Sequence, residues 1–185
     1  MSATPRTGTG RSAEFADSAP GSSPVQLVEQ KILVADATDV TFAGLNGDAD
    51  VTYELNIQSP QIINNSNWIM YMNADLNSAH YFYQFMKAIN NAVSAGPNSP
   101  SGPMYFLTQD SGGSAEVVAT MKIFAKSGKV RTTLTLQQQG GMSTRYWSGQ
   151  WTNSVDSITD LTIHSDQVLG IKAGTIMTLY KWPNG

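Results

Sequence analysis

Apolar and polar residues alternate along several short stretches of this chain. The clearest is 51–58, where Val51, Tyr53, Leu55 and Ile57 fall on one side and polar residues on the other. A period of two is typical of a β-strand with one buried face. Weaker versions of the pattern, separated by turn residues, predict further strands at 25–35, 39–45, 68–72, 116–126, 130–137, 143–151, 157–164 and 174–182.

One pair of these strands predicts a β-hairpin. Stretches 116–126 and 130–137 flank Ser127, Gly128 and Lys129, which have the composition of a tight turn. In the second strand, the near alternation of Val130, Thr132, Leu134 and Leu136 leads us to expect the threonine-rich partner positions to face water.

The segment 75–93 supports two interpretations. Six apolar residues recur at helical spacing, which is typical of an amphipathic helix: Leu76, Ala79, Phe82, Met86, Ile89 and Val93. Residues 80–85 are rich in aromatic side chains, which favours a strand. We predict a strand over 79–87. The following stretch, 95–103, holds three prolines and two glycines, and we expect an irregular surface loop there.

Together these patterns predict an all-β fold, an antiparallel β-sandwich of the jelly-roll type, over residues 25–185. Residues 1–24 differ in composition, because Phe15 is their only large apolar residue after Met1. Ordering a backbone costs about 1–2 kcal/mol per residue, and this segment has little apolar surface to offset that cost. We therefore predict an extended N-terminal arm that is ordered by a partner.

Composition narrows the classes of function. The chain has 185 residues, a net charge of −3 and 14% charged residues, and its Lys and Arg are scattered, so we expect no nucleic-acid partner. Cysteine is absent, which excludes disulfides and thiolate sites and suits a reducing cytoplasm. No run of 18 apolar residues occurs, and the first residues lack the apolar stretch of a secretory signal, so we expect no membrane span and no signal peptide.

Motifs for catalysis and metal binding are weak. His80 and His164 have no neighbouring ligand cluster, and the oxygen-rich 46–50 segment is better interpreted as a polar turn than as a calcium loop. No G-x-S-x-G elbow or phosphate-binding loop is present. Three aspartates near strand ends are expected to cap turns: Asp156, Asp160 and Asp166. We predict no enzyme activity and no cofactor.

The aromatic residues of 143–151 allow one binding alternative. Tyr146, Trp147 and Trp151 could form a platform on which sugars stack. Tryptophans of a small sandwich usually lie in its core, and we favour that interpretation.

Two stretches resemble structural proteins of tailed-bacteriophage virions. Residues 42–53 are similar to an F-x-G-L-x-G-D-x-D-x-x-Y pattern, and residues 157–181 are similar to the closing strands of head or tail proteins with β-sandwich folds. The resemblance covers roughly a third of the chain.

The resemblance implies a non-enzymatic virion protein that is made in the host cytoplasm. We expect a capsid decoration or minor capsid protein that binds the major capsid protein through its arm and forms homo-oligomers, with a trimer favoured by analogy. The arm residues expected to bind the partner are Pro5, Arg6, Arg11, Phe15, Pro20 and Pro24. The alternative is a tail- or fibre-associated receptor-binding protein that recognises carbohydrate.

Overall fold

The fold consists of two antiparallel β-sheets packed face to face. The computed structural model describes residues 25–60, 66–89, 92–100 (backbone only for 97–100), 102–108, 116–140 and 143–182. An eight-stranded sheet has the strand order β1-β12-β3-β8-β9-β10-β5-β6, and a four-stranded sheet has the order β2-β11-β4-β7. The predicted all-β antiparallel sandwich is confirmed.

The strands of the large sheet are β1 (Gln26–Ile32), β3 (Thr52–Ser59), β5 (Tyr81–Ile89), β6 (Ala92–Pro100), β8 (Val117–Phe124), β9 (Arg131–Gln139), β10 (Ser143–Trp151) and β12 (Ile176–Trp182). The small sheet contains β2 (Asp39–Ala43), β4 (Asn67–Met72), β7 (Met104–Thr108) and β11 (Asp160–Ser165). A one-turn helix, α1 (Gly47–Asp50), and a 3₁₀ turn, Ser78–His80, precede β3 and β5.

The core lies between the sheets and follows the period-two pattern. In β3, Tyr53, Leu55 and Ile57 point inward and are buried, as predicted. The small sheet contributes large side chains from the opposite side, among them Phe42, Trp68, Met70, Met72, Phe106, Leu161 and Ile163. Burial of these apolar surfaces is the main force that holds the two layers together.

Strand β9 reverses the expected alternation. Leu134 and Leu136 point away from the core and are 53% and 40% exposed, whereas Thr133, Thr135 and Gln137 are buried. The expectation that the threonine-rich positions face water is therefore wrong. Its cause is the register, because β9 pairs with β8 and β10 so that its odd-numbered residues line up with their buried positions.

The segment 75–93 contains strand β5 rather than an amphipathic helix. It pairs along its whole length with β10, from Ser143 opposite Ile89 to Trp151 opposite Tyr81. The strand predicted over 79–87 is thus confirmed, with its start shifted to Tyr81 by the 3₁₀ turn. Apolar residues at helical spacing coexist with a strand here because aromatic residues fit a pleated surface well.

The irregular loop predicted for 95–103 is wrong for most of that segment. Strand β6 runs through Pro100 and pairs with β5 at the margin of the sheet, with a register shift between Tyr83 and Phe85. Proline lacks a backbone N–H, so it is tolerated only where one side of the strand needs no ladder. An edge position supplies that condition.

Candidate functional site

Residues 42–53 connect β2 to β3 through α1 at one end of the sandwich, and we call this segment the joint. The Asn46 side chain caps α1 by accepting a hydrogen bond from the Ala49 N–H at 3.2 Å. Gly47 packs closely against the segment that leads into β11, so that an added Cβ would lie 3.0 Å from the Cβ of Ile158. Gly44 adopts a φ of +73°, in the region that glycine enters without strain. The glycines of the motif therefore serve the local fold.

The acidic residues of this joint bind partners within the chain. Asp48 Oδ1 accepts a hydrogen bond from the Ser127 N–H at 2.7 Å. Hydrogen bonding to the Ser127 side chain, followed by this backbone contact, lowers the pKa of Asp48. Asp50 accepts the Tyr53 hydroxyl at 2.7 Å and the Lys181 ammonium at 3.0 Å. Burial, followed by the contact with Asp50, raises the pKa of Tyr53. These contacts favour the polar turn over the calcium loop.

A buried arginine ties the same end of the sandwich together. The Arg131 side chain is fully buried and donates hydrogen bonds to the backbone carbonyls of Ala125, Lys129, Asn153 and Asp156. Its guanidinium lies 5.4 Å from the ring centre of Trp151. Burial lowers the pKa of Arg131. The carbonyls it satisfies belong to the loops that follow β8 and β10, so this residue stabilises the joint.

Two aspartates of residues 157–181, and Asp156 just before them, bind other parts of the fold. Asp160 Oδ1 accepts the Ala74 N–H at 3.2 Å, and Asp166 accepts the backbone and side-chain N–H groups of Asn67 at 2.9 and 2.7 Å. Asp156 accepts the Asn153 side chain at 2.7 Å. The expectation of turn capping is confirmed for Asp160, whereas Asp166 binds the start of β4 and Asp156 binds the Asn153 side chain.

Each histidine is hydrogen-bonded to one aspartate. His80 Nδ1 lies 2.7 Å from Asp75 Oδ2, and His164 Nδ1 lies 2.7 Å from Asp39 Oδ1. Trp151 Nε1 also donates to Asp75 Oδ2, at 2.8 Å. Within the described residues, no group of three or more His, Cys, Asp or Glu side chains is placed to hold a metal ion.

The three aromatic residues of the proposed sugar platform do not share a surface. Trp151 is fully buried and Trp147 is 6% exposed, whereas Tyr146 points to the opposite side of the sheet and is 54% exposed. Neighbouring residues of a strand face opposite sides, so Tyr146 and Trp147 cannot form one platform. This prediction is wrong as a three-residue site, and the interpretation of both tryptophans as core residues is confirmed.

A surface that sequence reasoning missed covers the solvent side of the eight-stranded sheet, which we call the outer face. One row of paired residues crosses all eight strands: Gln30, Thr178, Asn56, Thr120, Leu136, Tyr146, Met86 and Ala95. The first half of the row is polar and the second half is apolar. Two adjoining grooves of about 440 and 750 Å³ follow it and share Thr120 and Leu136 as lining residues.

The outer face contains very few charged side chains. In β3, β5, β8, β9, β10 and β12, all of whose residues are described, the only charged outward positions are Glu54 and Lys122. These two residues are cross-strand partners, and Lys122 lies 5.1 Å from the ring centre of Trp182. The scarcity of charged residues in these strands is visible in the sequence and could have indicated such a surface. The sequence alone does not show which residues share a face, because that depends on the register of the strands.

The predicted arm and its partner-binding residues, Pro5, Arg6, Arg11, Phe15, Pro20 and Pro24, lie outside the described residues. In the part of the chain that is described, no helix combines the length and the apolar character needed to cross a membrane. Comparison of the chain with protein-family models, with curated proteins and with solved structures gives no match.

Proposed function

We propose that this chain is a non-enzymatic structural protein of a virus particle, a capsid decoration or minor capsid protein attached to the shell through residues 1–24. One observation carries the proposal: the residues of both phage-like stretches are engaged in holding the sandwich together. Asp48, Asp50 and Tyr53 bind groups of the same chain, as do Asp160 and Asp166. Motifs whose residues stabilise the fold suit a protein with a structural role.

The strand order supports a jelly-roll assignment. Without β5, β6, β9 and β10, two four-stranded layers remain, β1-β12-β3-β8 and β2-β11-β4-β7. An eight-stranded double sheet of this kind is the architecture that many viral capsid domains share. The four other strands extend one layer at its β8 edge, which enlarges the outer face. Fold alone does not imply function, so this likeness adds only to the argument from the motifs.

The arm is the proposed attachment element. It joins the domain just before β1, which is an edge strand of the large sheet. A chain of 24 residues reaches up to about 80 Å when extended, far enough to cross onto a neighbouring shell protein. Such a segment gains affinity by adding backbone hydrogen bonds to a partner's sheet, and several copies in one oligomer multiply a weak contact. The partner is the major capsid protein, and the location is the virion.

Deletion of residues 1–24 tests the attachment. We expect the truncated protein to keep its melting temperature, because the deletion ends before the first residue of the described fold, and to lose binding to purified shells of the virus that encodes it. The matched control keeps an arm of the same length and composition in scrambled order and should also fail to bind. Shell binding by the truncated protein at the level of the full chain would contradict the proposal.

The receptor-binding alternative has no surface platform to support it. It depended on a platform of Tyr146, Trp147 and Trp151, and the two tryptophans are buried.

A further inference from the structure

The outer face has the exposed apolar side chains of a contact surface. Leu134, Tyr146 and Met86 are each at least half exposed, and Leu136, Val118 and Phe124 are about two-fifths exposed. Monomeric soluble proteins rarely expose large contiguous apolar patches, and such patches mark interaction sites. We propose that the outer face is an interface between two copies of this chain, related by a twofold axis. This inference does not depend on the virion role.

The composition of the outer face matches that of a buried interface. The cores of protein interfaces are depleted of Lys, Glu and Asp and enriched in aromatic residues and Met. Here Glu54 and Lys122 are the only charges in the outward positions of the six fully described strands, while the face carries Tyr146, Tyr180, Trp182, Phe82, Phe124 and Met86. A face built to remain in water would carry charge at many of these positions.

The size of the outer face is sufficient for a stable dimer. Eight strands with spacings of about 4.8 Å give a width of about 34 Å, and strands of eight or nine residues give a length of about 26 Å. The footprint is therefore about 900 Å² per copy, against about 800 Å² for each partner in a standard specific interface.

The row across the sheet indicates the axis by which a second copy would be related to the first. A twofold axis that runs along the row places each residue opposite itself, so that Leu136, Tyr146 and Met86 meet the same apolar residues of the other copy. The polar half, with Thr120, Asn56 and Gln30, then meets its polar equivalent. Because Glu54 and Lys122 lie to one side of the row, neither is brought opposite its own copy. The surface is thus self-complementary, as a twofold interface requires.

Sedimentation equilibrium on the full chain tests the proposal. We expect a mass of twice 19.9 kDa at about 10–50 μM, and at least about tenfold weaker association in Leu136→Glu, which places two carboxylates opposite each other. Val168→Glu, at an exposed loop position, is the matched control and should associate like the wild type. If Leu136→Glu melts early, Leu136→Gln replaces it, with weaker association still expected.

Cross-linking provides an independent readout. The chain lacks cysteine, so Thr120→Cys introduces a single thiol in the middle of the outer face. A bismaleimide that spans the about 10 Å between packed sheets should link two copies of this variant but not of Val168→Cys.

Any of four results would overturn the proposal. The first is a wild type that remains monomeric at about 50 μM, even if the face binds another molecule. The second is a mass of three chains, as the phage analogy suggests. The others are association that Leu136→Glu leaves unchanged and a Thr120→Cys variant that does not cross-link.

Discussion

Single residues at the end of the sandwich show how a short polar loop is held in place. Asp75 accepts three hydrogen bonds, from the Trp151 indole at 2.8 Å, from His80 Nδ1 at 2.7 Å and from the Asn77 N–H at 3.0 Å. Burial opposes ionisation of Asp75, but these hydrogen bonds outweigh it and lower the pKa of the carboxyl group. The side chain therefore joins β10 to the loop that leads into β5.

The depressed pKa of Asp75 predicts a defined pH dependence. The ionised form is favoured in the folded state, so its contribution is present above the unfolded pKa of about 3.9 and is lost as the pH falls through the folded value. Asp75→Asn should lower the free energy of unfolding by about 1–2 kcal/mol at pH 7, because the amide cannot accept all three hydrogen bonds. Urea unfolding at pH 7 and at pH 3 measures whether this difference shrinks in acid.

The control for this prediction is Glu116→Gln, at an exposed carboxylate elsewhere, which should change the free energy of unfolding by less than about 0.5 kcal/mol. A deficit of Asp75→Asn that stays constant from pH 7 to pH 3 would show that the carboxylate charge is not what stabilises the loop.

At the scale of elements, the least expected feature of the fold is that β9 points polar residues into the core. Its inward residue Gln137 accepts hydrogen bonds from Trp147 Nε1 and from the Thr108 N–H, both at 3.2 Å, and its amide donates to the Thr108 carbonyl. A buried glutamine thus joins β9 and β10 to β7 of the other sheet, while Leu136 beside it faces outward.

Of two substitutions in β9, we expect the one that makes the strand more apolar to destabilise the fold more. Gln137→Leu makes the strand more apolar but removes the acceptor of both Trp147 Nε1–H and the Thr108 N–H, while the Thr108 carbonyl keeps its hydrogen bond from Arg145. We therefore expect the free energy of unfolding to fall by about 2–4 kcal/mol. Leu136→Gln makes the strand more polar and should cost less than about 1 kcal/mol. Chemical denaturation below the concentration at which the chain associates measures both. The reverse order would mean that the register of β9 differs from the one described.

The strands with clear alternation could be predicted from the sequence. In β3 the inward positions Tyr53, Leu55 and Ile57 are all apolar, so pattern and burial agree. In β9 the pattern misleads, because Thr133 and Gln137 are satisfied by partners from other strands that no local window contains. Strand β6 was missed for a similar reason: its prolines are compatible with a strand only at an edge, and strand order is a property of the whole sheet.

The same distinction applies to the candidate sites. The turn chemistry around Asn46 is local and followed from residue type, whereas the partner of Asp166 is Asn67, far away in the chain. The outer face was not predicted, because Met86, Leu136 and Tyr146 come from strands that are far apart in the chain and meet only through their register.

At the scale of the whole molecule, the margins of the sheets are poorly suited to open-ended strand addition. Strand β1 contains an irregularity between Leu27 and Glu29, and β2 and β7 have only five residues each. The fourth edge strand, β6, is longer, but it contains two prolines and pairs with β5 through a register shift. Short and irregular edges limit edge-to-edge pairing. The broad outer face and the arm are therefore the surfaces that we propose for assembly.

The central claim is that this chain is a building component of a virus particle. Quantitative mass spectrometry of purified virions of the encoding virus, with the major capsid protein as internal reference, tests it most directly. We predict a ratio of this chain to the major capsid protein that stays the same from one preparation to the next. Its absence from purified virions, with the protein recovered only in the soluble fraction of infected cells, would contradict the account.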